Sequence, residues 1–186
     1  MATNEMSTKV VTGEVRFSYL HVFEPAKVEG SDEEKYSVSL IIPKSDTKTI
    51  KAIEKAIEVA KEAGKSSKFG GKIPANLKTP LRDGDIDRED DENYADCYFI
   101  NANCKTQPGL VYKNGQRIID STDLYSGCYG LASITFYAFN SNGNKGIACG
   151  LNNLMKVRDG EPLGGRSRAE DDFADFFEED DEEDFM

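Results

Sequence analysis

Residues 8–23, TKVVTGEVRFSYLHVF, alternate so that Val11, Val15 and Phe17 share one face while Thr12, Glu14, Arg16 and Ser18 share the other. A period of two predicts a long, half-buried strand, in which Gly13 permits a bulge or bend and which Pro25 is expected to end. From Lys35 the alternation resumes: Tyr36, Val38, Leu40 and Ile42 face in, Lys35, Ser37 and Ser39 face out, and Pro43 closes the strand. The period then changes. Ser45 or Asp46 caps a predicted helix with Ile50, Ile53, Ile57 and Ala60 on one face, and Gly64 is a natural stop. Residues 65–81 read as a basic loop, suited to touching phosphate or to serving as a surface connection. Beyond them, CYFINANCK (97–105) and Leu110 to Tyr112 predict strands. The Asn114-Gly115 pair predicts a hairpin returning through Gln116 to Ile119. In 128–139, Ile134 and Phe136 share one face and Tyr129, Leu131, Tyr137 and Phe139 the other; a turn at Ser141 to Asn144 leads to a last strand, Lys145 to Val157. Short strands with one helix and a bent first strand predict a small closed or partly open β-barrel, and Phe17, Phe99 and Phe136 are expected to be core residues.

Charge divides the chain in two. Of the eighteen residues 169–186, AEDDFADFFEEDDEEDFM, eleven are Asp or Glu and none is Lys or Arg, so this stretch carries the whole formal charge of −11 and residues 1–168 are neutral. The expected organisation is therefore a domain over 1–168 and a disordered acidic tail over 169–186. Phe173, Phe176, Phe177 and Phe185 lie among the acids, where a solubilising tail has no use for rings. They read either as stray exposed rings or as anchors. An anchored arm would have two destinations, a basic groove on its own body and an apolar pocket on a partner. Within the body, residues 82–96 (RDGDIDREDDENYAD) hold eight acids, which leaves the remaining surface net basic.

Several chemistries find little support. No apolar run is long enough to span a membrane, and MATNEMSTKV lacks the layout of a signal peptide, so a cytoplasmic protein is expected. Cys97, Cys104, Cys128 and Cys149 show no C-x-x-C spacing and His21 is the only histidine, which argues for free thiols over zinc. Asp83, Asp85 and Asp87 have the spacing of a calcium loop, but Arg88 stands where Gly is needed and Tyr94 where the bidentate Glu belongs. No metal and no cofactor is expected, and no nucleophile–base pairing or nucleotide-binding glycine loop points to an enzyme.

YSVSLIIPK (36–44) before a helix, LRDGD (81–85), YSGCY (125–129) and NKGIACG (144–150) before Leu151-Asn152 occur in this order over residues 8–168. With the Phe-bearing acidic end, they resemble a phage-encoded family of single-stranded-DNA-binding proteins with an OB-fold. The resemblance implies a mainly β architecture: an OB-fold-like five-stranded barrel with an extra hairpin and one packing α-helix, followed by the acidic tail. It also implies non-catalytic binding of single strands in replication or recombination, and a tail that regulates binding and recruits phage or host replication proteins. Here Phe185 is followed by Met186, whereas such tails commonly end on an aromatic residue.

Binding single strands without sequence preference requires rings for bases to stack on and cations along the backbone track. With no tryptophan, tyrosine and phenylalanine must supply the stacking, and the best candidates are Tyr98 near Lys105, Tyr112 beside Lys113 and Arg117, Tyr125 and Tyr129 around Ser126-Gly127, and Tyr137. Arg16, Lys35 and Lys145 complete the candidate cations, and Phe173, Phe176, Phe177, Asp184 and Phe185 the partner-binding tail. Ordinary packing accounts for some of these rings, and solvation for single charges. Two other readings compete. One is a DNA mimic occupying the groove of a host nucleic-acid enzyme; the other is a magnesium nuclease using Asp83, Asp85 and Asp87. Duplex binding is disfavoured for want of a recognition helix, and a homo-oligomer is possible through exposed strand edges.

Overall fold

The computed structural model describes residues 7–27 and 33–163, together with Phe176. The acidic tail, Phe176 apart, and the domain boundary at 168 lie outside the described residues. In chain order the elements are β1 (Lys9–Val11), β2 (Val15–Lys27), β3 (Glu34–Pro43), α1 (Thr47–Gly64), β4 (Leu81–Asp83), α2 (Gly84–Asp87), a 3-10 turn at Glu92–Tyr94, β5 (Cys97–Cys104), β6 (Gly109–Tyr112), β7 (Tyr129–Ser141) and β8 (Asn144–Arg158). Five strands form a ring in the order β2-β3-β5-β8-β7, with β7 returning to β2. This is the partly open five-stranded arrangement of an OB-fold. Its seam lies between β5 and β8, which run parallel and share one Cα pair, Asn103 with Gly150. The short β1, β4 and β6 add to β7, β5 and β8. The turn at Asn114-Gly115 forms, but its return arm is held by one bridge, Val111 to Arg117, while β6 takes β8 as its sheet partner.

Phe17, Leu40, Ile42, Ile100, Ile134, Phe136 and Leu154 fill the ring and meet Ile53, Ala56 and Ile57 of α1. Asp46 is the helix cap, its carboxylate accepting from Thr49 N at 3.2 Å. Gly64 does end the helix, yet for a packing reason: a Cβ there would lie 2.2 Å from Cβ of Ala138.

Three details of the alternation are corrected. Val10 is buried and Val11 is 63% exposed, because the bend after β1 shifts the phase before Val15 takes up the inward position. Gly13 is small enough to sit against α1: its N–H donates to Thr49 Oγ1 at 2.9 Å, and a Cβ would meet Asp46 Oδ2 at 2.7 Å. Pro25 does not end β2, since the pairing is irregular between His21 and Ala26 and no ladder hydrogen bond is asked of a proline there. Ser39 is buried on the outer face, hydrogen-bonded to Tyr94 Oη at 3.2 Å.

That burial is the work of the acidic loop. Residues 84–96 fold over the outer face of β3 and β5, where Tyr94, Ile41 and Phe99 form a second small core. Tyr94 meets Phe99 edge-on with ring centroids 5.1 Å apart, and the Arg88 guanidinium lies 4.8 Å from the Phe99 ring. Lys44 ties the loop down through Asp83 at 2.9 Å and Asp85 at 2.7 Å, while Asp87 faces Arg82 at 3.4 Å.

These partnerships carry a pH dependence. The hydrogen bond from Lys44, then that from Asp96 N–H, holds the Asp85 carboxyl below the ordinary carboxylate value. A depressed folded-state pKa adds stability above the unfolded value, and that stability is lost as pH falls through the folded one. Thermal melts of wild type and Asp85→Asn should therefore differ most at neutral pH and converge in acid. A gap independent of pH would remove the carboxylate charge from the account.

Candidate nucleic-acid interface

The alternation that sends Phe17, Leu40 and Ile100 inward sends short polar residues outward. Following the Cα pairs across the ring, His21 meets Ser37, Ser37 meets Asn103, Asn103 meets Gly150, and Gly150 meets Thr135. One row, small from Ser37 to Thr135 and with the His21 imidazole at the β2 end, thus crosses all five strands on the outer surface. Asn152 stands beside it, its amide donating to Thr135 Oγ1 at 2.9 Å. At one end of the row Tyr137 is 45% exposed, its ring lying over Gly150 so that a Cβ there would be 3.6 Å from Tyr137 Cε1. Partial burial raises the Tyr137 phenol pKa above its ordinary value.

Cations border the same face. Lys105 lies 3.1 Å and Lys35 3.7 Å from Glu33, whose pKa is lowered chiefly by the hydrogen bond and charge of Lys105. Lys105 remains 73% exposed at its side chain. Glu33 adjoins the β2–β3 connection, and in OB-folds the face of the second and third ring strands with the adjoining loops is where oligonucleotides lie. The second and third ring strands here are β3 and β5.

The other candidates fall elsewhere. Arg16, Tyr125 and Tyr129 gather with Lys156 and Arg158, two residues that the sequence reading passed over. The Arg158 guanidinium stacks 3.8 Å from the Tyr129 centroid and bonds to Glu14 at 2.8 Å; Arg16 approaches Tyr129 from 5.3 Å and donates to Gly127 O and Glu161 O at 3.0 and 2.6 Å. Lys156 pairs with Asp159 at 2.7 Å and faces the Tyr125 ring, while Tyr125 Oη donates to Asp159 at 2.9 Å. These groups tie residues 126–128 and 159–161 to the ring, and each ring and cation already has an internal partner. Their only advance signal was the spacing of two cations at the end of the last strand, one of them a residue beyond the expected boundary.

Tyr112 donates to Asp123 at 2.5 Å, a bond that raises its pKa, and Lys113 is exposed at the following turn. Arg117 lines a separate cleft with Phe23, Pro108 and Ile119. Tyr98 lies under Lys44, at 5.2 Å, and packs against the main core. Lys145 pairs with Asn140 beside the β7–β8 turn, on the opposite parity to Tyr137. Lys35, Lys105 and Tyr137 are thus brought to one face, Arg16, Tyr125 and Tyr129 to another. The basic connection after α1 joins the β7–β8 hairpin: Ile147 N donates to Lys78 O at 2.8 Å. Of the tail residues, Phe176 is described and is 79% exposed; Phe173, Phe177, Asp184 and Phe185 lie outside the described residues.

Among the described residues no three His, Cys, Asp or Glu side chains converge as a metal site, and Asp83, Asp85 and Asp87 are engaged by Lys44 and Arg82. No described helix is long and apolar enough to cross a membrane.

A family model described as Enterobacter phage Enc34, ssDNA-binding protein, matches residues 8–186. Protein p50 of Acyrthosiphon pisum secondary endosymbiont phage 1 is 31% identical over 163 residues, covering 84% of this chain and 87% of that protein. Among solved structures, the single-stranded DNA-binding protein from bacteriophage Enc34 in complex with ssDNA superimposes with a TM-score of 0.75 at 25% identity, over 88% of this chain and 97% of that one. The single-stranded DNA binding protein gp2.5 encoded by bacteriophage T7 shares the fold, with a TM-score of 0.62 at 17% identity over 94% of this chain and 97% of its own. By the extent of the family match and the identity to p50, this chain belongs to the family of the single-stranded-DNA-binding protein of Enterobacter phage Enc34.

Proposed function

We propose that this protein binds single-stranded DNA, without sequence preference and without catalysis, across the outer face of the ring. The observation that carries the proposal is the unbroken row His21, Ser37, Asn103, Gly150 and Thr135, with Tyr137 at one end and Lys35 and Lys105 along its border. Small side chains let a strand approach the sheet closely. Their amides and hydroxyls suit any base, an exposed ring offers a π-face, and the lysines offer charge to phosphate. Family membership and the DNA-bound Enc34 structure support the same reading.

The test is anisotropy of labelled oligo-dT titrated with the full-length protein, with duplex DNA as control. Binding of the single strand in preference to the duplex is expected. Tyr137→Ala should weaken it by about 1–3 kcal/mol, roughly 5- to 150-fold, the value of one stacked base. A folded Tyr137→Ala protein with unchanged affinity would move the strand off this face.

The acidic segment 169–186 acts, in this proposal, as an internal competitor for the same face. When DNA displaces it, Phe173, Phe176, Phe177, Asp184 and Phe185 become available to replication or recombination proteins. Support comes from the charge division, since the segment holds the whole net charge of −11.

A further inference from the structure

We propose that Tyr19 is a second base-stacking residue, and that the bound strand continues past His21 into the cleft beside β2. The inference rests on the single-strand-binding reading above. In the pairing of β2 with β3, Ser18 meets Ser39 and His21 meets Ser37, so Tyr19 and Leu20 together oppose Val38. Such a bulge re-aims a side chain. Tyr19 is accordingly held at φ 47°, a left-handed conformation that a bulky residue avoids unless its surroundings impose it. One such surrounding contact is Leu20 N–H, which donates to Ser126 Oγ at 3.0 Å.

The bulge turns Leu20 and Val22 toward the main core and leaves the Tyr19 ring outside it. Tyr19 is 54% exposed, and its side chain makes no hydrogen bond or ring contact among the described residues. What it borders is a cleft of about 750 Å³ between β2, residues 121–126 and Pro162-Leu163, large enough for a nucleotide. Phe23, Leu124, Tyr125 and Leu163 supply apolar walls, and Glu24 is the one acid among the lining residues. His21 joins the two regions, since it belongs both to the polar row and to the cleft lining. A strand leaving the row over β2 therefore meets the Tyr19 ring first, with a cavity behind it.

The absence of tryptophan makes the test direct. Full-length Tyr137→Trp and Tyr19→Trp proteins each carry a single tryptophan, whose emission is quenched when a base stacks on it. With an oligo-dT of about 5 nucleotides, only the Tyr137→Trp signal should fall; with about 20 nucleotides, both should. Tyr19→Ala should bind the longer oligonucleotide about 5- to 100-fold more weakly and the shorter one as wild type does, while Tyr19→Phe keeps full affinity because the ring does the stacking. Emission from Tyr19→Trp that does not respond to the longer oligonucleotide while Tyr137→Trp is quenched would overturn the inference. So would wild-type affinity in Tyr19→Ala with a native circular dichroism spectrum. Silence in both reporters, together with no binding by the wild-type protein, would overturn the single-strand-binding reading itself and this inference with it.

Discussion

A chain ending at Arg168 is expected to bind oligo-dT about 10- to 100-fold more tightly than the full-length protein at about 20 mM salt, with the difference closing by about 300 mM. Removal of residues 169–186 takes away eleven acids and returns the formal charge from −11 to zero. A segment tethered to the body competes at an effective concentration that a short linker sets in the millimolar range, so even weak contacts with the lysines around the polar row suffice to oppose DNA. Salt weakens both competitors, which is why the comparison is read from paired titrations at the two ionic strengths. Equal affinities of the two chains at low salt would refute internal competition while leaving binding by the body intact.

The largest effect on stability is expected from Phe99→Ala, at about 3–5 kcal/mol in urea unfolding followed by circular dichroism. Phe99 is fully buried on the outer side of β5, against Tyr94, Ile41 and the Arg88 guanidinium. Truncation leaves a cavity that residues 84–96 cannot fill without abandoning Ser39, whose hydroxyl depends on Tyr94. A loss below about 1 kcal/mol would mean that the acidic loop contributes its charge and not its packing. In the proposed function the loop has a further role, because it covers Ser39, Ile41 and Phe99 on the outer face of β3 and β5 and leaves the proposed binding row around Ser37 and Asn103 open.

Much of this was legible from period alone. Alternation placed β3 and β7 correctly, the three-to-four spacing of isoleucines placed α1, and Phe17, Phe99 and Phe136 are all buried. What alternation cannot express is burial on both faces of a strand. Ser39 is polar and points away from the main core, yet a loop more than forty residues later covers it. Nor does it survive a bend: beyond Gly13 the inward parity changes, so Val10 replaces Val11. At the candidate site, Tyr137 and Lys105 were named in advance because ring and cation types are visible in a sequence. The row from His21 to Thr135 was not, because serine, asparagine and glycine carry no signal until register aligns them. Tyr19 escaped for a related reason, since a bulge flips a residue without leaving a mark in hydrophobic periodicity. The cluster of Arg16, Tyr129 and Arg158 shows the converse: the residue types suited DNA, while the geometry pairs them with one another and with the backbone.

Ring closure between β2 and β7 joins Val15 to Gly130 and Phe17 N–H to Cys128 O, contacts between opposite ends of the body. Such contacts form slowly, because a long loop must be closed before they give any return. During synthesis, β2, β3 and β5 can pair into a sheet with β4 along part of the β5 edge, but the β2 edge has no partner until residues of β7, 129–141, have been made. Between completion of β5 at Cys104 and of β8 at Arg158 the nascent protein is therefore an open sheet with apolar residues on one face, the kind of intermediate that joins edge to edge with its neighbours.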